Sequence, residues 1–244
     1  MPSAAPLREV RAVILGCAQD GGIPQAGCGC TRCTYARVTP EYSDGRVACL
    51  GLIDEIDRTA FLIDATPDIT VQLWDLQRQS GSSEGLQLGG ILLTHAHTGH
   101  YIGLLQLGKE GADARGVPVF CTESMAAFLQ ENLPWRLLVE RGNIDLRIIT
   151  PAVEFKLSSD ISITAVSVPH RSEISDTVRS TTGLLNPATY HVSGCVFPCW
   201  MLLYPPGTQV AYVVAVGPAR RQKLLYCPDT DTWEDWDADV SDLC

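Results

Sequence analysis

The sequence predicts an α/β protein, and three observations carry that expectation. Short β-branched apolar runs recur along the chain, segments of helical spacing are interspersed among them, and each candidate ligand follows directly on a strand end. The third is the layout of a site built on loops at one edge of a sheet, held by a rigid scaffold.

Arg11–Gly16 is β-branched, apolar and closed by glycine, so it reads as the first strand. Gln19–Gly29, rich in Gly and Pro, is a loop that leads into Cys28-Gly29-Cys30-Thr31-Arg32-Cys33. Ala48–Ile53 and Thr59–Ile63 are strands joined by the polar turn Asp54–Arg58, a hairpin ending at Asp64. Pro67 and Asp68 are a start signal for a helix over Ile69–Gln79, where Ile69, Val71, Leu73, Trp74 and Leu76 have helical spacing. Gly89–Leu93 is a short buried strand running into a histidine-rich turn, and Tyr101–Leu107 has the apolar density of a helix packed on a sheet. Val117–Cys121 is a strand, Glu123–Asn132 a helix with Thr122 as N-cap, and Ile144–Ile149 an alternating strand. Ile161–Val168 alternates as well and ends at Pro169-His170; Ala211–Val216 resembles a further strand, and Lys223–Cys227 is a last one, ending at Pro228-Asp229.

The 244 residues suit a single domain over 1–244, and 45% hydrophobic content supports a soluble, packed protein. The net charge of −10 argues against nucleic acid, because phosphate binding needs clustered Lys and Arg. No membrane span is expected: Val192–Pro206 is too short and is interrupted by Pro198 and Pro205. Met1–Val10 lacks a basic segment followed by an apolar one, so the expected compartment is the cytoplasm or an organelle interior. Three of the ten cysteines crowd into residues 28–33, a spacing that suits metal ligation better than a disulfide scaffold.

The sharpest signal is His95-x-His97-x-x-His100 directly after a strand. Imidazole is the commonest ligand of zinc and similar ions. Two histidines at i and i+2 in an extended turn project to one side, and a third at i+5 returns as the chain enters a helix. Surface histidines in a loop are the bland alternative. The chain has only five histidines, however, and three fall within six residues, which favours a metal site.

Thr94-His95-Ala96-His97-Thr98-Gly99-His100 followed by Ile102-Gly103-Leu104 resembles the signature of the metallo-β-lactamase superfamily. It is most similar to the branch of the pyrroloquinoline quinone biosynthesis B protein and the carbon–phosphorus lyase accessory phosphodiesterase. Leu15-Gly16, Gly21-Gly22-Ile23-Pro24, Cys28-x-Cys30-x-x-Cys33, Ile63–Asp68, Pro169-His170-Arg171 and Tyr226-Cys227-Pro228-Asp229 follow in that branch's order. The resemblance covers nearly the whole chain apart from about Arg179–Val210 and the extreme C-terminus. It implies an αββα sandwich. It also implies that His95, His97 and His170 ligate a first ion, that Asp229 bridges to a second, and that His100 is the second ion's partner. Asp64 is then a supporting residue that orients the motif loop through hydrogen bonds. A turn or cap aspartate is the alternative for Asp229, with Asp231 a near competitor.

The pattern departs from the family in three places. Many members carry Asp before the third histidine, as a ligand of the second ion; here Gly99 stands there, so a weaker second site, a different metal or a single ion is expected. No histidine follows His191, so the C-terminal strand–helix portion is expected to be truncated. About thirty residues over 179–210, rich in Pro, Gly, Cys and Thr, separate two strands expected to lie close in sequence. They read as an insertion, with translated intron as one source, or alternatively as a lid in which Phe197 and Trp200 cover substrate.

Cys28, Cys30 and Cys33 suit a structural zinc with one more ligand, which the related phosphodiesterases take from a late histidine that is missing here. Buried cysteines are the alternative, and a redox role is disfavoured because Cys30 and Cys33 are not expected to start a helix after a strand. The expected function is a metal-dependent hydrolase, with zinc, manganese or iron(II) at the histidines. The ion would acidify water and polarise a small-molecule phosphodiester or similar ester, Asp229 or Asp64 would accept the proton, and Arg171 could contact an anionic substrate. The alternatives are a metal-dependent oxidoreductase in pyrroloquinoline quinone-type cofactor biosynthesis and a non-catalytic descendant. A homodimer is compatible with the sequence.

Overall fold

The computed structural model describes residues 10–39, 45–79, 86–168, 210–217 and 222–229. Its elements divide into two sheets and a helical layer. The first sheet has the order β1 (Val10–Gly16), β2 (Cys49–Asp54), β3 (Thr59–Ile63), β4 (Gln87–Leu92), β5 (Val117–Cys121) and β6 (Ile144–Ile148). β1, β2 and β3 are antiparallel neighbours, whereas β3 through β6 are parallel. That pattern makes β1, β3, β4, β5 and β6 end at one edge, so the loops leaving them share a rim. The second sheet is antiparallel, in the order β10 (Gln222–Tyr226), β9 (Val210–Val216), β8 (Ile161–Ser167) and β7 (Glu154–Lys156).

Between the sheets lies an apolar layer of Leu50, Leu52, Phe61, Ile63 and Leu92 from one side and Ile161, Ile163, Ala165, Tyr212 and Val214 from the other. The opposite face of the first sheet is covered by helices. These are α2 (Ile69–Gln79), α3 (Thr98–Tyr101), α4 (Glu123–Glu131) and α5 (Trp135–Glu140), with a 3-10 turn over Ile102–Leu107, while α1 (Thr31–Val38) adds no side chain to the packed core. Ile69, Leu76, Leu104, Met125, Leu129 and Leu138 pack there against Ile53, Leu62, Ile91 and Val119. β9 is buried on both faces along nearly its whole length, as its unbroken run Val-Ala-Tyr-Val-Val-Ala anticipates. This is the metallo-β-lactamase fold expected from the motifs. Helix, sheet and sheet are the layers visible among the described residues.

The element expectations hold with local corrections. Helix α2 coincides with Ile69–Gln79, yet its inward face is Ile69, Gln72 and Leu76, while Val71 and Trp74 are exposed. Gln72 earns its buried place by hydrogen bonding: its amide donates to the Val47 carbonyl at 2.9 Å and its oxygen accepts from Thr66 Oγ1 at 2.6 Å. The helix expected over Tyr101–Leu107 is instead one α-turn, Thr98–Tyr101, tightening into the 3-10 turn. Helices α1 and α5 and the short strand β7 have no counterpart in the sequence reading. β8 and β9 are adjacent, with Ser167 opposite Val210, so the strands flanking the proposed insertion do pair. The segment itself, with Arg171, Phe197 and Trp200, lies outside the described residues apart from Val210, as do His170, Asp231 and the C-terminal residues whose truncation was expected. No helix among the described residues is long and apolar enough to cross a membrane.

Candidate metal centre

The rim formed by the ends of β1, β3 and β4 meets the end of β10, and the candidate ligands converge there. His95, His97 and His100 leave β4 through a buried turn and α3, and none is more than 6% exposed. Asp229 comes from the other sheet, three residues past the end of β10. His95 Nε2 and His97 Nδ1 are 2.9 Å apart, and Asp229 Oδ2 lies 3.5 Å and 3.7 Å from them. Ligands about 2.0–2.2 Å from a tetrahedral zinc stand roughly 3.3 Å from one another, so these separations suit the edges of such a shell. The donor set fits a divalent ion: two imidazole nitrogens and one carboxylate oxygen in a largely buried gap.

Asp64 fixes the orientation of these rings. It follows β3, is fully buried, and holds a left-handed backbone (φ 72°), a conformation that an aspartate tolerates better than most residues. Its Oδ1 accepts from the Thr94 backbone N–H at 2.9 Å, and Thr94 Oγ1 lies 2.9 Å and 3.0 Å from its two oxygens. Thr94 Oγ1 is also 2.9 Å from His95 Nδ1, and Asp64 Oδ2 is 2.8 Å from His100 Nδ1. With the Thr94 hydroxyl donating to Asp64, His95 Nδ1–H donates to Thr94, which directs the His95 Nε2 lone pair toward the gap shared with His97 and Asp229. Asp64 thus orients His100 directly and His95 through Thr94.

Asp20 is the residue that sequence reasoning missed. Its Oδ1 lies 3.1 Å from His100 Nε2, while Asp229 Oδ2 lies 3.7 Å from the same nitrogen. Asp20, His100 and Asp229 form a second cluster of ligand atoms beside that of His95, His97 and Asp229. One signal was present: Asp20 follows β1, just as the other ligands follow their strands. It sits in a glycine-rich turn eighty positions from its partner, which hides it.

The charges differ sharply across this small volume. Burial pushes the His95 imidazole down to about 4, against the pull of Asp229, so the ring is neutral at ordinary pH. Burial also opposes charge on His100, but the carboxylates of Asp64, Asp20 and Asp229 outweigh it and push that ring up to about 11. The hydrogen bond from His100 holds the Asp20 carboxyl below its ordinary value.

Cys28, Cys30 and Cys33 are brought together as expected, their sulfurs within 4.8 Å of one another. Their setting corrects one expectation: Cys30 is the N-cap of α1 and its sulfur accepts from the Cys33 N–H, so the cluster does start a helix. That N–H and the neighbouring thiols of Cys28 and Cys33 bring the Cys30 thiol down to about 7. Arg37 braces the loop by donating to the carbonyls of Cys28 and Gln25 at 2.6 Å and 2.8 Å. A separate cleft of about 410 Å³ runs from Asp20 past Gly21–Pro24 to Arg46, Val47, Pro67 and Asp68, and so adjoins the histidine centre.

Comparison with known proteins agrees with this architecture. A family model for the beta-lactamase superfamily domain matches residues 59–242. The coenzyme PQQ synthesis protein B of Methylobacterium radiotolerans is 39% identical over 105 residues, covering 42% of this chain and 34% of that protein. Its counterpart from Klebsiella pneumoniae is 29% identical over 161 residues, covering 64% of this chain and 51% of that protein. The chain spans about half or less of the length of these curated relatives. The crystal structure of Zn(2+)-bound PqqB from Methylobacterium extorquens superposes with a TM-score of 0.61 at 20% identity, covering 91% of this chain and 66% of that one.

Proposed function

The chain belongs to the beta-lactamase superfamily, and from that premise we propose that it is a metal-dependent hydrolase acting on a phosphodiester or related small-molecule ester. The supporting observation is the convergence of His95 Nε2, His97 Nδ1 and Asp229 Oδ2 from two different sheets on one buried gap. When bound, a divalent ion supplies Lewis acidity, which acidifies water and polarises an ester oxygen.

The protein's own part is orientation and proton handling. His95 meets a cation without first losing a proton, because burial already keeps it neutral. Through Thr94, Asp64 holds His95 in the tautomer that aims its Nε2 lone pair inward, and it fixes the His100 ring at Nδ1. Asp229 is the proton acceptor of the proposal, since it is the partly exposed carboxylate of the centre's shared edge, whereas both oxygens of Asp64 are taken by Thr94 and His100. The cleft beginning at Asp20 offers room for the substrate; Arg46, paired with Asp75, is the one basic side chain among the described residues that line it. His170 remains the candidate third histidine of the first position. The cysteine triad is proposed as a structural zinc site whose fourth ligand lies elsewhere.

The test is hydrolysis of bis(p-nitrophenyl) phosphate by the full chain, stripped with chelator and reloaded with zinc, manganese or iron(II). Turnover should vanish on stripping and return with metal, and His95→Ala should lower it by at least about 100-fold, beyond the loss typical of perturbing a ligand's supporting partner. The names of the curated relatives favour a role in coenzyme PQQ synthesis, and the second reading we propose is an oxidation in such a pathway. Oxygen uptake by the iron form without ester hydrolysis would establish it. Metal binding with neither activity would point to a non-catalytic descendant.

A further inference from the structure

His100 offers its Nε2 to a space that two carboxylates share. Its Nδ1 is committed to Asp64 Oδ2 at 2.8 Å, and since an ionised carboxylate only accepts, Nδ1 carries the hydrogen. Nε2 then faces Asp20 Oδ1 at 3.1 Å and Asp229 Oδ2 at 3.7 Å. Two carboxylate oxygens and an imidazole nitrogen around one gap are a ligand set for a divalent ion, which would take the place of the Nε2 proton. Asp229 Oδ2 also faces His95 and His97, so one oxygen borders both clusters.

We infer that Asp20 is a ligand of the second ion that the resemblance already gives to His100 and Asp229, and that it supplies the carboxylate that the histidine motif lacks at Gly99. The inference rests on the metal-dependent reading above and deepens it.

The backbone delivers Asp20 to this place by ordinary means. After β1 the Cys17 and Ala18 N–H groups both donate to the Arg46 carbonyl, and the Ala18 carbonyl accepts from the Ala48 N–H. The chain then turns over Gln19–Gly22, closed by the Gly22 N–H to the Gln19 carbonyl at 2.7 Å, with Gly22 in the left-handed region at φ 62°. Asp20 is the second residue of this turn, so its side chain projects from a fixed corner rather than from a free loop.

Gly99 is the complementary half of the device. It lies within α3, without a positive φ, so its backbone does not require glycine. What requires glycine is space. A Cβ at position 99 would stand 2.6 Å from Asp20 Oδ1 and 2.7 Å from Asp20 Cα. A Cα cannot swing aside as a side chain can, so the Asp20 turn and any side chain at 99 exclude one another. The expectation that Gly99 deprives the second position of an anionic oxygen is therefore answered from another strand end.

Zinc binding to the ion-free full chain, read by equilibrium dialysis at controlled free zinc, tests this without recourse to activity. His95→Ala should remove one ion and Asp20→Asn a different one, or weaken the latter at least about tenfold, the lower bound seen when a ligand's supporting partner is lost. Asp20→Glu, which restores a carboxylate at position 20, should regain the ion, while Gly99→Asp, whose Cβ would displace the Asp20 turn, should lose it. Wild-type zinc stoichiometry and affinity in Asp20→Asn and Asp20→Ala would overturn the inference and leave the hydrolase reading standing. A wild-type chain with no ion sensitive to His95→Ala would overturn both. If Asp20→Asn and Asp20→Ala melt lower without ions, Asp20→Glu decides: return of the ion supports the assignment and its absence overturns it.

Discussion

The histidine centre and the cysteine triad are both built from ligand-type residues within six positions of sequence, but the protein treats them oppositely. The histidines are nearly inaccessible, backed by a fully buried Asp64 and completed by carboxylates from two other strand ends. The cysteines sit on a loop and a helix cap, with Cys30 exposed and Cys28 half-buried, held by short-range backbone contacts and Arg37. One site is prepared by tertiary structure before any ion arrives. The other draws its order from local geometry and, on our proposal, from the ion it holds. Preorganisation of this kind is what a reactive centre needs, whereas a structural site tolerates assembly around its metal.

The contrast can be broken most directly at Asp64. Asp64→Asn keeps the shape and the tolerance for a left-handed backbone but removes the charge that orients His100 and Thr94. Zinc affinity at the histidines should fall about 10–100-fold, measured by competition with a chromophoric chelator. The cysteine ion should be unaffected. An unchanged affinity at the histidines would mean that their order does not depend on Asp64.

A pH series on the ion-free protein sharpens the same point, because the two histidine shifts have opposite signs. His100 is raised to about 11, so its stabilisation is complete below the ordinary histidine value near 6.5 and is lost as pH rises through about 11. His95 is lowered to about 4, so below pH 6.5 the unfolded chain takes up a proton that the folded ring refuses, and stability falls as pH drops toward 4. Together these two rings place the stability maximum of the ion-free chain near pH 6.5, on the high side of which the decline is gradual. Urea midpoints across pH 4–10 measure it, and a midpoint rising steadily toward pH 10 would contradict the assignment of charge to His100.

The smallest effect is expected at the exposed site. Changing Cys28, Cys30 and Cys33 to serine should remove one ion, leave the ions at the histidines in place, and lower the melting temperature by about 2–4 °C for each 1 kcal/mol lost, as expected for a chain of this size. Loss of the histidine-bound ions as well would show that the two sites are coupled.

How much of this was readable in advance follows a physical line. The strands β2, β3, β5 and β8 could be bounded closely because alternation or apolar density is a local property, and α2 because Pro67 and Asp68 mark its start. His95 and His97 stood out by their spacing after a strand, whereas Asp64 and Asp229 came from the resemblance, and the structure brings all four together. Helix α1 was missed because it has no apolar stripe: Cys33 is its one buried residue, and Tyr35 and Val38 are exposed. Asp20 was missed because its role is created by β1 and β4 lying in one sheet, and nothing within its own turn distinguishes it from a turn aspartate. Gly99 read as a deficiency for the same reason, since the side chain that needs its space belongs to a distant segment.

The position of the centre between the sheets has a mechanical consequence. Its histidines belong to one sheet and Asp229 to the other, and the Tyr212 hydroxyl, from the second sheet, donates to the Leu93 carbonyl just before the motif at 2.7 Å. An ion shared by His95 and Asp229 is therefore a clasp across the β-sandwich as well as a reagent. At a free concentration 100 times its dissociation constant, such a ligand adds about 2.7 kcal/mol to folding stability. Cohesion of the two layers and readiness for chemistry would then rise and fall with the same metal supply.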